Sequence, residues 1–357
     1  MKYIFCSVPD FSDNARAMFE YMFEREISGT YTWLFNDRQK IEDSYFDDLK
    51  TKGVKFLEKN SFSGFKAYLL SNISFSDHGI FNSVPLNFGP KKIELWHGMP
   101  LKQIGYYNED NKIKFHKTIS TADIFDPVLE KAFGINSSKI IKTGLPRNDK
   151  LLNNNIGSKI FNNDYPIIAW LPTFRFHKDG EYKDGEYTEG KIGFFNLEEL
   201  EKLDFFLEEN QLNLFIKLHP FDVLNDKIDN NYKFKRLKIF RTQDFESKFL
   251  DLYEILSTCE ALITDYSSVL FDFVITRKPI ALMQSDFQKY KDSRGLVATI
   301  EESIDLPIIT SIEEFREFLA NYRDLKINYE NQIQMFQSRD FHGSNSEEIC
   351  KSLNILP

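Results

Sequence analysis

The chain has 357 residues, 42% hydrophobic and 28% charged, with 35 phenylalanines, which suits about two globular domains with a large core. A net charge of −9 argues against a general nucleic-acid binder, which is usually basic, while leaving room for a local cationic patch facing phosphate. The three cysteines, Cys6, Cys259 and Cys350, have no metal-ligand spacing and read as buried thiols of a reducing compartment.

Met1-Lys2-Tyr3-Ile4-Phe5 opens directly as a strand, without a signal-peptide pattern. No run reaches the ~18 apolar residues of a membrane span. A cytoplasmic protein is expected, at most peripheral on the inner face of the membrane. Tyr3–Val8 reads as a buried strand and Asp13–Arg25 as a helix, with Ala17, Met18, Tyr21 and Met22 at helical spacing. Thr30–Phe35 is strand-like and Tyr45–Lys50 helical. Ile93–Trp96, Lys117–Ser120 and Lys139–Thr143 are further strands. The alternation predicts a mostly parallel sheet covered by helices.

The pattern restarts at Pro166. Ile167–Leu171 is a strand, Leu197–Glu208 a helix, and Leu214–Leu218, Leu237–Phe240, Ala261–Thr264 and Pro279–Met283 are strands. The fold class is α/β, with two Rossmann-like domains facing across a cleft. The polar stretch Asn153-Asn154-Asn155-Ile156-Gly157-Ser158 divides residues 1–155 from residues 156–357. Phe315–Phe336 and Ser344–Leu353 are helical in pattern and able to pack back across both domains. Between Phe176 and Gly193 lies a polar near-repeat, Asp179-Gly180-Glu181-Tyr182-Lys183-Asp184-Gly185-Glu186-Tyr187, which reads as a solvated loop or a flap beside the cleft.

Two motifs carry the chemistry. In Trp96-His97-Gly98-Met99-Pro100-Leu101-Lys102, His97 crowns a strand in a turn shaped by Gly98 and Pro100. Open α/β sheets place ligands at such ends, and a neutral imidazole takes a proton near pH 7. In Thr264-Asp265-Tyr266-Ser267-Ser268, a strand ends in two hydroxyls at the start of a helix-like stretch, an arrangement that binds phosphate or merely caps the helix. His219 follows another strand, with Lys217 on the same side two residues before it. Arg175, just after Leu171-Pro172-Thr173-Phe174, and Arg147, in Pro146-Arg147-Asn148-Asp149, offer forked donors to phosphate oxygens. No P-loop, Gly-x-Gly-x-x-Gly or His-Glu-x-x-His occurs. Neither metal nor cofactor is expected, the one alternative being an ion between Asp265 and Asp272.

In these pieces the chain resembles the CDP-glycerol glycerophosphotransferases, the teichoic acid primase and polymerase group. The matching segments are Ser12–Arg16, Trp96–Gly105, Gly144–Asp149, Leu171–Arg175, Lys217–Pro220 and Thr264–Phe273, in family order. Met99 stands where the family more often has threonine, and Phe174 where it often has tryptophan. The chain is also short beside the long polymerases, which often carry a domain before the catalytic core. The resemblance implies a GT-B fold, with the acceptor on the N-terminal domain and the donor on the C-terminal one. It implies that His97 is the base, that His219 contacts the donor diphosphate, and that Ser267 and Ser268 lie at the donor phosphate. Asp265, Arg175, Thr173, Lys217, Arg147 and Asn14 complete the expected substrate-binding set. The partners are CDP-glycerol or another CDP-alditol and a polymer or lipid-linked acceptor, with no nucleic acid. The competing readings are a GT-B glycosyltransferase using a nucleotide sugar, a polysaccharide-binding protein of the same fold, and a sugar-nucleotide epimerase.

Overall fold

A computed structural model of the protein describes residues 1–108, 113–153, 160–173, 175, 177, 178, 181, 182, 190–218, 233–337 and 344–356. In the first half, β1 (Lys2–Cys6), β2 (Thr30–Phe35), β3 (Lys55–Glu58), β4 (Ile73–Ser76), β5 (Lys91–Glu94), β6 (Lys117–Ser120) and β7 (Ile140–Lys142) form one sheet. Its order is β3-β2-β1-β4-β5-β6-β7, with every pairing parallel. The second half adds β8 (Ile167–Leu171), the short antiparallel pair β9 (His177–Lys178) and β10 (Glu181–Tyr182), β11 (Asn213–Lys217), β12 (Leu237–Phe240), β13 (Ala261–Thr264), β14 (Ile280–Met283) and β15 (Ile308–Ile309). Six of these form a second parallel sheet, β12-β11-β8-β13-β14-β15.

Counted from its own first strand, each sheet runs outward through three strands, returns, and continues on the other side. The reversal opens a crevice past the carboxyl ends of β1 and β4, and another past β8 and β13. Doubly wound sheets bind ligands there.

The first sheet carries α1 (Asp13–Glu24), α2 (Arg38–Ile41), α3 (Asp47–Thr51), α4 (Phe62–Leu69) and α5 (Asp126–Phe133). Buried Ala15, Met18, Phe19 and Met22 recur at helical spacing along α1 and face the sheet. The second half carries α6 (Leu197–Glu209), α7 (Thr242–Lys248), α8 (Leu252–Thr258), α9 (Val269–Phe273), α10 (Phe287–Arg294), α11 (Ala298–Glu301), α12 (Ile312–Asn321), α13 (Tyr329–Phe336) and α14 (Asn345–Ser352). Asn196 and Glu199 form a capping box that starts α6. The core around β1 and α1 continues into Tyr266, Leu270, Phe271 and Tyr290 of the second half.

The chain returns to its first half at the end. Asp149 accepts hydrogen bonds from the amides of Asn345 and Ser346 at 2.7 and 3.0 Å and from the Ser344 hydroxyl at 2.7 Å. These are the unpaired donors at the start of α14, so the carboxylate caps it from across the chain. Gly144 is required there, since a Cβ would lie 2.2 Å from Asn345 Oδ1.

Several elements differ from expectation. Tyr45–Lys50 is not one helix: a 3-10 turn, Ser44–Phe46, runs into α3. Phe315–Phe336 is broken at a 3-10 turn, Tyr322–Asp324, and Asn328 caps a new helix, α13. β3, α4 and β4 were not foreseen. β4 reads Ile-Ser-Phe-Ser, yet all four residues are buried, so its serines hide a central strand. The stretch 154–158 at the expected boundary and most of the Asp179–Tyr187 near-repeat lie outside the described residues.

Candidate functional site

The crevices of the two sheets contribute to one cavity of about 290 Å³. From the first half, Asp13 follows β1, His97 follows β5, and Arg147 lies in the 3-10 turn after β7. From the second half, Thr173 follows β8, Lys217 ends β11, and Ser267 and Ser268 follow β13. Phe245, Phe249 and Tyr253 add an aromatic wall.

His97 is partly buried and stacks on His78, with ring centroids 4.3 Å apart and planes 7° from parallel. Its Nδ1 lies 3.3 Å from the carbonyl oxygen of Asp77. A carbonyl only accepts, so Nδ1 carries the proton and Nε2 keeps its lone pair. Burial, aided by the neighbouring His78, draws its pKa down to about 3. The ring is therefore neutral at physiological pH. Asp77 is held in turn by the amide of Ala15, which donates to both its oxygens at 3.0 and 3.2 Å.

Arg147 ties the two halves together. Its guanidinium donates to Asp13 Oδ1 at 2.7 Å, to the His97 carbonyl at 3.1 Å and to Asp272 Oδ2 at 2.6 Å. It lies 4.6 Å over the Tyr253 ring, and the Tyr253 hydroxyl donates to the same Asp272 oxygen at 2.5 Å. Asn14 completes the frame, accepting from the Arg147 amide at 3.1 Å and donating to the Trp96 carbonyl at 2.8 Å. Arg147 and Asn14 thus hold the His97 turn from behind. That turn presses on the second half: a Cβ on Gly98, where φ is +129°, would lie 2.2 Å from Ser268 Oγ.

The loop after β13 is fixed by Asp265. Its carboxylate accepts from the Thr173 amide at 2.9 and 3.0 Å and from the Tyr266 amide at 2.7 Å, and pairs with Arg175 at 3.0 Å. Arg175 also forks onto Asp286 at 2.7 and 3.1 Å and packs over Tyr266 and Tyr290. These two residues, expected at the substrate, have their polar atoms engaged by protein partners and brace the loop after β13. Ser267 and Ser268 stand partly open to the cavity. The helix they precede, α9, has five residues. So short a helix has a small dipole, and the hydroxyls and loop amides are the available donors.

Lys217 faces the same cavity, its Nζ 5.5 Å over the Phe245 ring, and burial lowers its pKa. His219 lies outside the described residues. The carboxylates of Asp265 and Asp272, the one alternative for an ion, belong to separate networks and are engaged by protein donors. A second acidic group, Glu20, Asp251 and Glu254, encloses Lys150, whose ammonium reaches the three at 2.5, 2.6 and 3.2 Å. Sequence reasoning missed Asp13, Asp77, His78, Tyr253 and Asp286. Asp13 adjoins Asn14 in the Ser12–Arg16 segment, so that one was within reach. Nothing in the local sequence marks the others.

A family model described as CDP-glycerol:poly(glycerophosphate) glycerophosphotransferase matches residues 2–353. The chain is 24% identical to the teichoic acid glycerol-phosphate transferase of Staphylococcus aureus (strain NCTC 8325 / PS 47), covering 96% of this chain and 90% of that protein. It is also 24% identical to the teichoic acid poly(glycerol phosphate) polymerase of Staphylococcus epidermidis, covering 92% of this chain but spanning 46% of that longer protein. The structure of the wall teichoic acid polymerase TagF superposes with a TM-score of 0.75 at 22% identity, over 99% of this chain and 88% of the other. At that identity the likeness is one of fold.

Proposed function

The chain belongs to the CDP-glycerol:poly(glycerophosphate) glycerophosphotransferase family, and we propose that it transfers an alditol phosphate, glycerol phosphate first, from a CDP-alditol to an acceptor hydroxyl. The observation that carries this reading is the single cavity in which a neutral His97 from one half faces Ser267, Ser268 and Lys217 from the other. A base and a set of phosphate donors on opposite walls suit in-line displacement at phosphorus.

The acceptor oxygen attacks the β-phosphorus, its proton passes to His97 Nε2, and the bond to the bridging oxygen breaks to release CMP. General-base catalysis supplies about 10²–10⁴-fold. Ser267, Ser268 and Lys217, with His219 as the family resemblance implies, offset the charge that spreads over the phosphoryl oxygens. Arg147, Asn14 and Thr173 hold the walls in register, and Asp265 and Arg175 brace the donor loop. In this reading the fold is GT-B, with the acceptor on residues 1–155 and the donor on residues 156–357. The two parallel sheets, each reversing at the cavity, support it. The acceptor is a cell-surface polymer or its lipid-linked precursor, met at the inner face of the membrane.

The test is a panel of CDP-alditols, CDP-glycerol and CDP-ribitol among them, with CMP release read with and without candidate acceptors. Acceptor-dependent CMP release is expected. Consumption of UDP-sugars with every CDP-alditol left intact would overturn the reading.

A further inference from the structure

Two consecutive residues of the loop after β4 hold the His97 ring. Its Nδ1 donates to the carbonyl oxygen of Asp77 at 3.3 Å, and its plane lies 7° from that of His78, with ring centroids 4.3 Å apart. Trp96, at a φ of +58°, packs against the same ring with centroids 4.1 Å apart. A tryptophan in the left-handed region is strained, and such a conformation persists only where its surroundings over-determine it. The orientation of the imidazole is therefore imposed by its neighbours.

The loop that stacks on the base is itself clipped at both ends by one buried side chain. Glu94 Oε2 accepts from the Ser76 hydroxyl at 2.8 Å and from the Gly79 amide at 3.0 Å. Asp77 and His78 lie between those two anchors. Glu94 ends β5 three residues before His97, and Ser76 of β4 pairs directly with it. The strand that carries the base thus also fixes the residues that hold it.

His78 is the one polar side chain of this clip that the fold does not use. It is exposed, and among the described residues no hydrogen bond reaches its ring nitrogens. Its contact is the stack, which covers one face of the His97 ring. The charged groups around it are Asp13 at the start of α1, Lys59 after β3, and Arg147. Desolvation lowers its pKa, and Lys59 and Arg147 lower it further against the opposite pull of Asp13, so the ring is neutral at physiological pH. A neutral aromatic ring attracts a cation placed over its face. When His97 takes a proton from the acceptor it becomes that cation. The stack then strengthens as the proton moves, and interactions that grow towards the transition state raise kcat more than they tighten binding.

We propose that His78 is a positioning residue of the transfer reaction, its neutral ring fixing the plane of His97 and steadying the imidazolium that His97 becomes. The proposal rests on His97 being the base in the transfer reading, but one arm of its test needs no turnover.

The experiment compares His78→Ala, His78→Phe and His78→Lys in the full chain. The position is exposed, so all three should fold, which thermal unfolding checks. His78→Ala should lower kcat about tenfold while leaving KM for CDP-glycerol within about twofold. His78→Phe, which keeps a flat ring over the base, should recover most of that loss. His78→Lys, which puts a fixed cation beside the nascent imidazolium, should fall below His78→Ala. The second arm is ¹⁵N NMR of the histidine rings, with the His97 signals assigned by their loss in His97→Asn. Wild type and His78→Phe should show one tautomer, protonated at Nδ1, and His78→Ala a mixture of the two. Wild-type kcat in His78→Ala, a loss confined to KM, a Phe variant no better than Ala, a Lys variant at least as active as Ala, or a single His97 tautomer in His78→Ala would each overturn the proposal. Absence of CMP release from every CDP-alditol in the wild-type chain counts against the transfer reading. Normal release in the wild-type chain, with any of the overturning results in the variants, counts against the role of His78 alone.

Discussion

Gly98 and Ser268 touch across the two halves of the protein so closely that a Cβ on Gly98 would lie 2.2 Å from the Ser268 hydroxyl and 2.9 Å from the Arg147 guanidinium. The contact seats the His97 turn against the Ser267-Ser268 loop, and it exists because Gly98 adopts a φ of +129°. Gly98→Ala should therefore cost about 1–3 kcal/mol of stability from backbone strain and lower turnover further by pushing the walls apart. Ser268→Ala in the same chain should not rescue it, because Ser268 Cβ itself lies 2.9 Å away. Thermal unfolding and CMP release measure the two effects, and a Gly98→Ala enzyme with normal turnover would show that the contact is passive.

His97→Asn should lower kcat by about 10²–10⁴-fold while leaving donor affinity nearly intact. The pH dependence carries a sharper signature. The base must be neutral, so activity is present above its pKa and lost below it. In the free enzyme that pKa is drawn down to about 3 by burial and by His78. The acid limb of kcat/KM should therefore fall well below the ordinary histidine value. The negative diphosphate of a bound donor favours the charged ring, so the limb of kcat should lie higher than that of kcat/KM. A midpoint of kcat/KM at or above the ordinary value would remove His97 from the role of base.

Ser267→Ala, Ser268→Ala and Lys217→Met should act on the donor. Each should weaken CDP-alditol binding by about 1–3 kcal/mol where a charge-assisted hydrogen bond is lost. Calorimetry with the intact donor and with CMP should show the larger loss for the diphosphate. His219→Ala belongs to the same series. Affinities unchanged throughout would place these side chains away from the phosphate.

The metal requirement follows from which carboxylates are free. Asp265 and Asp272 are both engaged by amide, guanidinium, hydroxyl and side-chain amide donors, so neither is available to an ion without breaking the network that holds the site. CMP release should survive excess EDTA. Complete loss under chelator, restored by Mg²⁺ or Mn²⁺, would show that the protein's own donors are insufficient.

Lys150 holds Glu20, Asp251 and Glu254, which would otherwise repel one another at the seam between α1 and α8. Lys150→Met should destabilise the fold by about 3 kcal/mol or more, the cost of leaving buried charges uncompensated. The loss should shrink at low pH, where the carboxylates take up protons. Denaturant unfolding at two pH values measures this, and an equal loss at both would mean that the stem of the lysine, not its charge, matters.

The parallel sheets, the cavity-facing ends of their strands and the His97 and Ser267-Ser268 turns were legible in the sequence because each is a local pattern: an apolar run, then punctuation. The missing pieces depend on partners distant in sequence. Arg175 looked like a phosphate ligand because an arginine past a strand offers a free fork. Asp286, 111 residues later, takes that fork. Asp272 looked like a spare carboxylate on a helix, yet it is the point where Arg147 and Tyr253 meet. His78 lies 19 positions from His97 and stacks on it only because β4 and β5 are neighbours. β4 itself was overlooked because two of its four residues are serines.

The segment after His97 is stitched to the second half. The Gln103 amide donates to the Gly295 carbonyl at 3.1 Å and the Val297 amide to the Leu101 carbonyl at 2.9 Å, and Arg294 donates to the Gln103 carbonyl at 3.1 Å. The turn that carries His97 is therefore held from both sides, by Asn14, Asp77 and Arg147 of the first half and, through residues 101–103, by residues 294–297 of the second. In the proposed reaction, opening of the seam would therefore pull on the imidazole's own turn, so closing the seam and aiming the imidazole are one event.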